Sequence, residues 1–182
     1  MKKDSWQTCS RKTILDHGKF LKVENHEVQL PDGTIIPNWA WIIIHDAALV
    51  LARREDGKFL LFRQTKYAID GDSLAPVGGM LEPGEESLEA AKRELLEELG
   101  CESDHWVDLG SYVTDPNNHV NTIHLFLALD ARYVTPPNSD DLEEQELLIL
   151  SRDELEDAFD AGEFKVLNWS LLIAKALRVL AV

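Results

Sequence analysis

Three glutamates in one short stretch have a spacing that suits metal chemistry. Glu94, Glu97 and Glu98 stand at positions i, i+3 and i+4 of the segment RELLEELGC, so on a helix they project from one face. Like charges on one face lower helix stability unless a cation neutralises them. Carboxylate oxygens suit hard ions such as Mg²⁺ or Mn²⁺. The spacing therefore favours a divalent cation site, and a solvated acidic face is the alternative.

A second group of acids follows later in the chain. Residues 82–98 hold seven Glu, and residues 140–160 hold ten Asp or Glu. If these two groups meet around divalent cations, an acidic protein could hold a phosphate substrate. Composition alone does not choose between this arrangement and two solvated faces.

The glutamates belong to a longer pattern that resembles a known motif. Gly79 is followed after five residues by Glu85, and seven residues later comes Arg93, which begins the segment above. This pattern, G-x5-E-x7-R-E-U-x-E-E-x-G-U with U apolar, resembles the Nudix box, and the chain resembles a Nudix hydrolase. Cys101 stands where that family prefers Ile, Leu or Val, and cysteine behaves as a small buried hydrophobe.

The resemblance implies roles for the residues of the box. Arg93 would orient the carboxylates through salt bridges, and Glu85 would support the site or the substrate. Glu97 would also contribute to catalysis. The metal-binding groups would be Glu94, Glu97, Glu98 and, as in the nucleoside-diphosphate-sugar branch, the backbone carbonyl of Gly78. A glycine there would let the carbonyl approach a metal closely.

Segments before the box resemble the ADP-sugar pyrophosphatases. GKFLKVE at residues 18–24, the turn Pro31-Asp32-Gly33 and Trp39 are similar to their N-terminal hairpin, whose aromatic residues stack on the base, often across a dimer. The resemblance implies that Phe20 and Trp39 bind the base and that the chain forms a homodimer. Trp41, a neighbour, and Trp39 could instead be half-buried strand residues.

Other features bear on the substrate. Pro116 lies 16 residues after Gly100, where ADP-ribose pyrophosphatases carry Pro, and Arg63-Gln64-Thr65-Lys66 stands where the family has R-Q-Y-R. Arg63 and Lys66 would then contact substrate, although Lys66 cannot offer the bidentate fork of an Arg. The family's E-x-P-A-G motif is changed around Pro76 in this chain. Other nucleoside diphosphate sugars, including GDP-mannose, therefore stay possible as substrates.

An acidic loop resembles the one that delivers a further glutamate to the family's site. We expect Glu143 to accept the proton of the attacking water, because the box glutamates are committed to metal. Glu144 and Glu146 are close alternatives.

The pattern of turns and apolar runs predicts an α/β (α+β) chain, and the resemblance implies the Nudix fold. This fold is a mixed β-sheet sandwiched between helices, here with an N-terminal β-hairpin extension in residues 1–40 and a hydrolase domain in 41–182. The predicted strands are 20–30, 34–39, 40–52, 58–63, 107–113, 120–132 and 146–150, and the region 76–84 is predicted as a loop. The predicted helices are 87–99, one opened by a Ser151/Glu154 capping box, and one around 169–180.

Composition narrows the class of protein. The chain has 182 residues, 45% of them apolar, and a formal net charge of −15, which argues against binding nucleic acid or an anionic membrane. The longest apolar stretch falls short of the ~20 residues of a membrane span. The first residues lack a secretory h-region, and two cysteines make no disulfide framework, so we expect a cytoplasmic location.

Three functions remain after these observations. The first is Mg²⁺-dependent hydrolysis of the pyrophosphate bond of nucleoside diphosphate sugars such as ADP-ribose, giving a nucleoside monophosphate and a sugar phosphate; Mn²⁺ could substitute. The second is a nucleoside triphosphate pyrophosphatase, which would release inorganic pyrophosphate. The third is a non-catalytic module that binds ADP-ribose, which is disfavoured because all box glutamates are present.

Overall fold

The computed structural model describes residues 5–138 and 144–181. The strands are β1 (Gln7–Asp16), β2 (Lys22–Gln29), β3 (Ile35–Ile43), β4 (Ala47–Arg54), β5 (Phe59–Thr65), β6 (Asp72–Ala75), β7 (Val77–Met80), β8 (Cys101–Glu102), β9 (His105–Asp115), β10 (His119–Tyr133) and β11 (Gln145–Leu150). The helices are α1 (Ser87–Leu99), α2 (Arg152–Asp160) and α3 (Leu167–Val179). Two compact units divide the chain: Met1–Asp46 with Tyr112–Thr122, and Ala47–Ser111 with Ile123–Val182.

The first unit is built on three antiparallel strands. β1 pairs with β2 and β2 pairs with β3, while His119 and Val120 pair with β3 in parallel. The β2–β3 hairpin confirms the strand pair predicted around Pro31-Asp32-Gly33. β1 was not predicted, because all ten of its residues are exposed and its sequence carries no alternation of buried and exposed side chains.

One predicted strand is in fact two. The run 40–52 was expected to be continuous, but β3 ends at Ile43 and β4 begins at Ala47. The linking residues bond elsewhere: His45 O accepts from the Asn121 side chain at 3.0 Å, and Asp46 Oδ1 accepts from the Thr122 backbone N–H at 2.7 Å. These bonds take the place of a continuing strand ladder.

The second unit contains the mixed sheet. The later part of β10 pairs in parallel with β4, β4 and β5 are antiparallel, and β11 runs antiparallel to β5. The presence of parallel and antiparallel pairs in one sheet confirms the predicted mixed sheet.

Strand β4 shows how helices cover this sheet. Ala48, Val50 and Ala52 pack with Leu95 of α1 in one hydrophobic cluster. The intervening residues Leu49 and Leu51 are also buried, and because side chains alternate along a strand they face the opposite side. Helix α3 packs against β4 through its own buried residues. The helices therefore flank the sheet, as the sequence predicted.

The end of the predicted helix and the capping box are confirmed. Gly100 adopts φ 63° and closes α1 by donating its N–H to carbonyls of the last turn, as a glycine at this position permits. Ser151 and Glu154 make both hydrogen bonds of the capping box at the start of α2.

The predicted loop 76–84 differs from the structure. Its first part forms β7, antiparallel to β4.

No helix of the described residues is long and apolar enough to cross a membrane.

Candidate active site

Arg93, in the middle of α1, is the centre of a carboxylate network. Its Nε donates to Glu85 Oε1 at 2.9 Å, and its Nη2 donates to Glu85 Oε2 at 3.0 Å. Nη1 donates to Glu94 Oε1 at 2.7 Å and to Glu97 Oε2 at 3.1 Å. Nη2 also reaches the backbone carbonyl of Met80 at 3.1 Å. One guanidinium therefore fixes three carboxylates and the end of β7 together.

The charges of this network change the acidity of its members. The Arg93 guanidinium lowers the pKa of the Glu85 carboxyl below its ordinary value, since an opposite charge within hydrogen-bond distance favours the ionised form. Glu85 in turn raises the pKa of Arg93, with Glu94 and Glu97 adding to the effect against the cost of burial. The charged forms of Glu85 and Arg93 are therefore both favoured.

Gly79 creates the space that Glu94 occupies. Glu94 is only 8% exposed, and a Cβ placed on Gly79 would collide with all three atoms of its carboxylate group. Gly78 has a different constraint: its Cβ would lie 2.5 Å from the Ala48 carbonyl oxygen and 2.6 Å from Leu49 Cδ2. The two glycines are thus required by close packing of β7, a reason that the sequence did not reveal.

The donor set fits a hard divalent ion. A buried carboxylate at Glu94, the neighbouring Glu98 on the same helix face and the backbone of Gly78 offer oxygen ligands only, which suit Mg²⁺ or Mn²⁺. Within residues 5–138 and 144–181, no three His, Cys, Asp or Glu side chains already converge as a metal site. An ion here would therefore need backbone or substrate oxygens, or a shift of Glu98, as further ligands.

An aromatic cavity lies in the first unit. Its volume is about 360 Å³. The lining residues are Trp6, Thr8, His26, Val28, Trp39, Trp41, Pro116 and Asn117. The indole N–H of Trp39 donates to the Asn117 carbonyl at 2.7 Å, and Trp6 meets Trp39 edge to face, with ring centroids 5.0 Å apart. The structure thus brings Trp39 and Pro116, two predicted substrate residues, to one cavity.

Phe20 lies elsewhere in this unit. It is 62% exposed in the turn between β1 and β2, whereas Trp39 pairs with His26 towards the other end of β2. Phe20 and Trp39 of one chain are therefore not brought together. Lys19 lies over the Phe20 ring, with Nζ 5.2 Å from its centroid.

Trp41 is covered on both faces. The His26 ring stacks on one face at 5.1 Å and 17°, and the His119 ring stacks on the other at 5.0 Å and 11°. Neither face is open to a base, so Trp41 takes part in the cavity wall as a packed residue, which agrees with the alternative left open for it.

Two predicted substrate residues in the second unit have other surroundings. Arg63 donates to Asp72 at 2.9 Å and to Glu163 at 2.9 Å, so a substrate contact would require it to exchange a carboxylate partner. These two carboxylates raise the pKa of Arg63. Lys66 follows directly after β5 and is half-buried.

Glu143 lies outside the described residues. Glu144 is exposed just before β11, and Glu146 lies opposite Arg63 in the β5–β11 ladder. Which of the three serves the site stays a prediction.

Sequence reasoning missed Trp6 and His26 as cavity residues. His26 was one of six scattered histidines, and only the β2–β3 register brings its ring against Trp41. Trp6 precedes the unpredicted strand β1. The Trp6–Thr8–His26 grouping depends on strand pairing, for which a single sequence carries no local signal.

Comparison with known proteins agrees with this geometry. The chain matches the NUDIX domain over residues 43–170 and the "Nucleoside diphosphate sugar hydrolase N-terminal domain" over residues 6–42. The chain therefore belongs to the Nudix hydrolase family, whose members generally use divalent metal ions.

Individual relatives are similar over much of the chain. An "ADP-ribose pyrophosphatase" of Bacillus subtilis (strain 168) is 28% identical over 164 residues, which are 90% of this chain and 86% of the relative. A "Methanol dehydrogenase activator" of Bacillus methanolicus is 30% identical over 112 residues, 61% of this chain and 60% of the relative. A crystal structure of an "ADP compounds hydrolase" superposes with a TM-score of 0.78 at 18% identity, covering 97% of this chain and 94% of the other. The predicted fold is thereby confirmed.

Proposed function

We propose that this Nudix hydrolase cleaves the pyrophosphate bond of nucleoside diphosphate sugars such as ADP-ribose in a Mg²⁺-dependent reaction. The products from ADP-ribose would be AMP and ribose 5-phosphate. The observation that carries the proposal is the Glu94 carboxylate, held by Arg93 in the space that Gly79 leaves open. The similarity to the ADP-ribose pyrophosphatase supports the choice of substrate.

The residues of the box would act mainly by positioning. Arg93 keeps Glu85, Glu94 and Glu97 in fixed places, so little reorganisation is needed when the substrate binds. A divalent ion held by Glu94, Glu98 and the Gly78 carbonyl would neutralise charge on the pyrophosphate and activate the attacking water. Glu143 would accept the proton of that water.

The base would bind through aromatic residues. Trp39, fixed by its hydrogen bond to Asn117, would stack on the base, and one such stack is worth about 1–3 kcal/mol. Pro116 would form part of the same surface. Lys66 and Arg63, which belong to the second unit, are candidate contacts of the phosphates.

A substrate panel tests the activity. Purified protein with Mg²⁺ is given ADP-ribose, ADP-glucose, GDP-mannose and nucleoside triphosphates, and the products are separated by chromatography. The proposal predicts a nucleoside monophosphate and a sugar phosphate from at least one sugar nucleotide. Release of inorganic pyrophosphate from triphosphates alone would favour the triphosphate pyrophosphatase. Tight binding of ADP-ribose without turnover would favour the non-catalytic module.

We also propose a homodimer formed through the first unit. Ile14 on β1 is 63% exposed, Leu15 is 43% exposed, and Phe20 is 62% exposed. Within the described residues, β1 pairs only with β2, which leaves an edge with apolar side chains. A partner chain would cover this surface and could bring its Phe20 to the base. Light scattering should give twice the 20.6 kDa chain mass, and a stable 20.6 kDa species at micromolar concentration would contradict the dimer.

A further inference from the structure

His26 is held in a chain of buried polar contacts on β2. It is 3% exposed, and its neighbour on the same face, Glu24, is 8% exposed. His26 Nε2 lies 3.0 Å from Glu24 Oε2, and Lys22 Nζ lies 2.6 Å from Glu24 Oε1. Each carboxylate oxygen of Glu24 therefore has its own partner.

These contacts fix the tautomer of His26. The hydrogen bonds from Lys22 and from His26 lower the pKa of the Glu24 carboxyl, so Glu24 is ionised and can only accept hydrogen bonds. Nε2 of His26 must then carry a proton. In the neutral imidazole the remaining nitrogen, Nδ1, is consequently an acceptor.

That acceptor is available to a ligand. Within the described residues, the side chain of His26 has no other hydrogen-bond partner. Its Nδ1 also differs from that of His119, which is sealed from solvent and has no partner among the described residues. Because His26 lines the aromatic cavity, its Nδ1 is the nitrogen that a molecule in this cavity would meet.

The ring plane of His26 is fixed as well. Its stack on Trp41, which His119 covers from the other side, leaves the imidazole little freedom to turn. His119 and Val120 hold this arrangement although their φ angles are 69° and 67°, a conformation that costs energy in residues other than glycine. An acceptor with a fixed direction discriminates between ligands better than a mobile one.

We propose that His26 determines base specificity by accepting a hydrogen bond at Nδ1 from the exocyclic amino group of the base. The cavity would then prefer amino-bearing bases, of which adenine is one, over bases with an oxo group at that position. An oxo group would place an acceptor against an acceptor and leave both unpaired. This inference rests on the proposed function, since it assumes that the base of a nucleotide sugar enters this cavity.

The preference is measured with a matched pair of substrates. ADP-ribose and its inosine counterpart differ only at the purine 6-position, which is amino in one and oxo in the other, and at the adjacent N1, which carries a proton only in the oxo compound. The proposal predicts that kcat/KM for ADP-ribose exceeds that for the inosine compound by about 10- to 100-fold, mainly through KM.

Glu24→Gln is the sharpest variant, because it should reverse the tautomer. Lys22 can only donate, so it would retain the oxygen of the new amide and leave the NH₂ group facing His26 Nε2. Nε2 would then become the acceptor and Nδ1 the donor. The ratio of the two kcat/KM values should fall at least tenfold, whereas a general loss of structure would lower both values in parallel.

Two further variants support this test. His26→Phe keeps a ring against Trp41 but has no acceptor, and the ratio should approach one. Glu27→Gln lies next along β2, on the opposite face from His26, and should leave the ratio unchanged. Circular dichroism establishes that each variant is folded.

The outcomes separate this inference from the proposed function. If the wild-type protein hydrolyses neither these compounds nor any other sugar nucleotide of the panel, both fail. If it hydrolyses only other sugar nucleotides, the proposed function stands and the role of His26 is overturned. If it hydrolyses ADP-ribose, but folded Glu24→Gln and His26→Phe keep the wild-type ratio, only the role of His26 is overturned. Equal affinity of the wild-type protein for AMP and IMP, measured by calorimetry, would also overturn it, whatever the variants do.

Discussion

The carboxylate network on α1 and the aromatic cavity of the first unit are built in different ways. In the network, Arg93, Glu94 and Glu97 lie within one helical turn, and Glu85 is eight residues from Arg93. In the cavity, Trp6 precedes β1, His26 lies on β2, Trp39 lies on β3, and Asn117 comes from the turn after β9.

We expect the carboxylate network to serve the chemical step and the aromatic cavity to serve substrate specificity. A helix fixes the spacing of its side chains by its own geometry, so the relative positions of Arg93, Glu94 and Glu97 are set locally, while β7 adds the Met80 carbonyl and the space at Gly79. The cavity depends instead on strand register and on a turn. We infer that substitutions in the network act on kcat, whereas substitutions in the cavity act on KM.

The largest effect is expected at the box glutamates. Glu94→Gln and Glu98→Gln should each lower kcat by about 10³-fold or more, equivalent to about 4 kcal/mol, because a neutral amide binds a divalent ion poorly. Glu97→Gln should impair the enzyme less if Glu97 acts mainly through Arg93. Rates are measured at saturating Mg²⁺ and ADP-ribose, with Glu89→Gln as the control, since Glu89 is exposed on the same helix and pairs with Lys92. A folded Glu94→Gln protein with near wild-type turnover would remove Glu94 from the metal site.

The next effect concerns the attacking water. Glu143→Gln should lower kcat by about 10²–10⁴-fold while KM changes little, as expected for loss of a general base. Glu144→Gln and Glu146→Gln are the matched comparisons. If one of these loses turnover while Glu143→Gln keeps it, the role of general base moves to that residue.

A smaller effect, on KM alone, is expected in the cavity. Trp39→Ala should raise KM for ADP-ribose by about 5- to 150-fold, the equivalent of one lost stack, because stacking acts in the ground state and the transition state alike. Phe20→Ala should change KM in the same direction if a partner chain supplies it. Unchanged KM in both variants would show that base binding does not use these rings.

The smallest effect is on stability and depends on pH. The pKa of Glu85 is lowered in the folded protein from its ordinary value of 4.5, so the unfolded chain takes up the proton first as the pH falls. The stabilisation by Glu85 is therefore present above about pH 4.5 and is lost as the pH falls through the lower, folded pKa. The Tm difference between wild type and Glu85→Gln should be full at pH 7 and shrink below pH 4.5. A difference that stays constant down to pH 3 would contradict the Arg93–Glu85 contribution.

Local patterns in the sequence predicted much of the fold, and the resemblance to the Nudix box predicted that Arg93 forms salt bridges with carboxylates. The α1 helix, its end at Gly100 and the Ser151/Glu154 capping box all follow from residues close in sequence. The break at His45-Asp46 could not be predicted, because it depends on bonds to residues 121 and 122. β1 lacks any buried residue that would mark it as a strand.

The cavity was only partly predictable for the same reason. Trp39 and Pro116 were found through resemblance to a family, but the contacts of His26 with Glu24 and Trp41 depend on strand geometry and register. The Gly78 carbonyl was expected as a metal ligand, but nothing in the sequence indicated that Gly79 makes room for the Glu94 carboxylate. A close approach between residues that are far apart in the sequence cannot be predicted from the spacing of residue types.

Binding of Mn²⁺ in the absence of substrate tests whether the Glu94 carboxylate binds the metal ion. Titration followed by electron paramagnetic resonance reports free Mn²⁺ and does not depend on turnover. Wild type and Glu89→Gln should bind Mn²⁺ alike, and Glu94→Gln should bind it at least about tenfold more weakly. Equal Mn²⁺ affinity in wild type and in folded Glu94→Gln would contradict the assignment of this carboxylate to the metal.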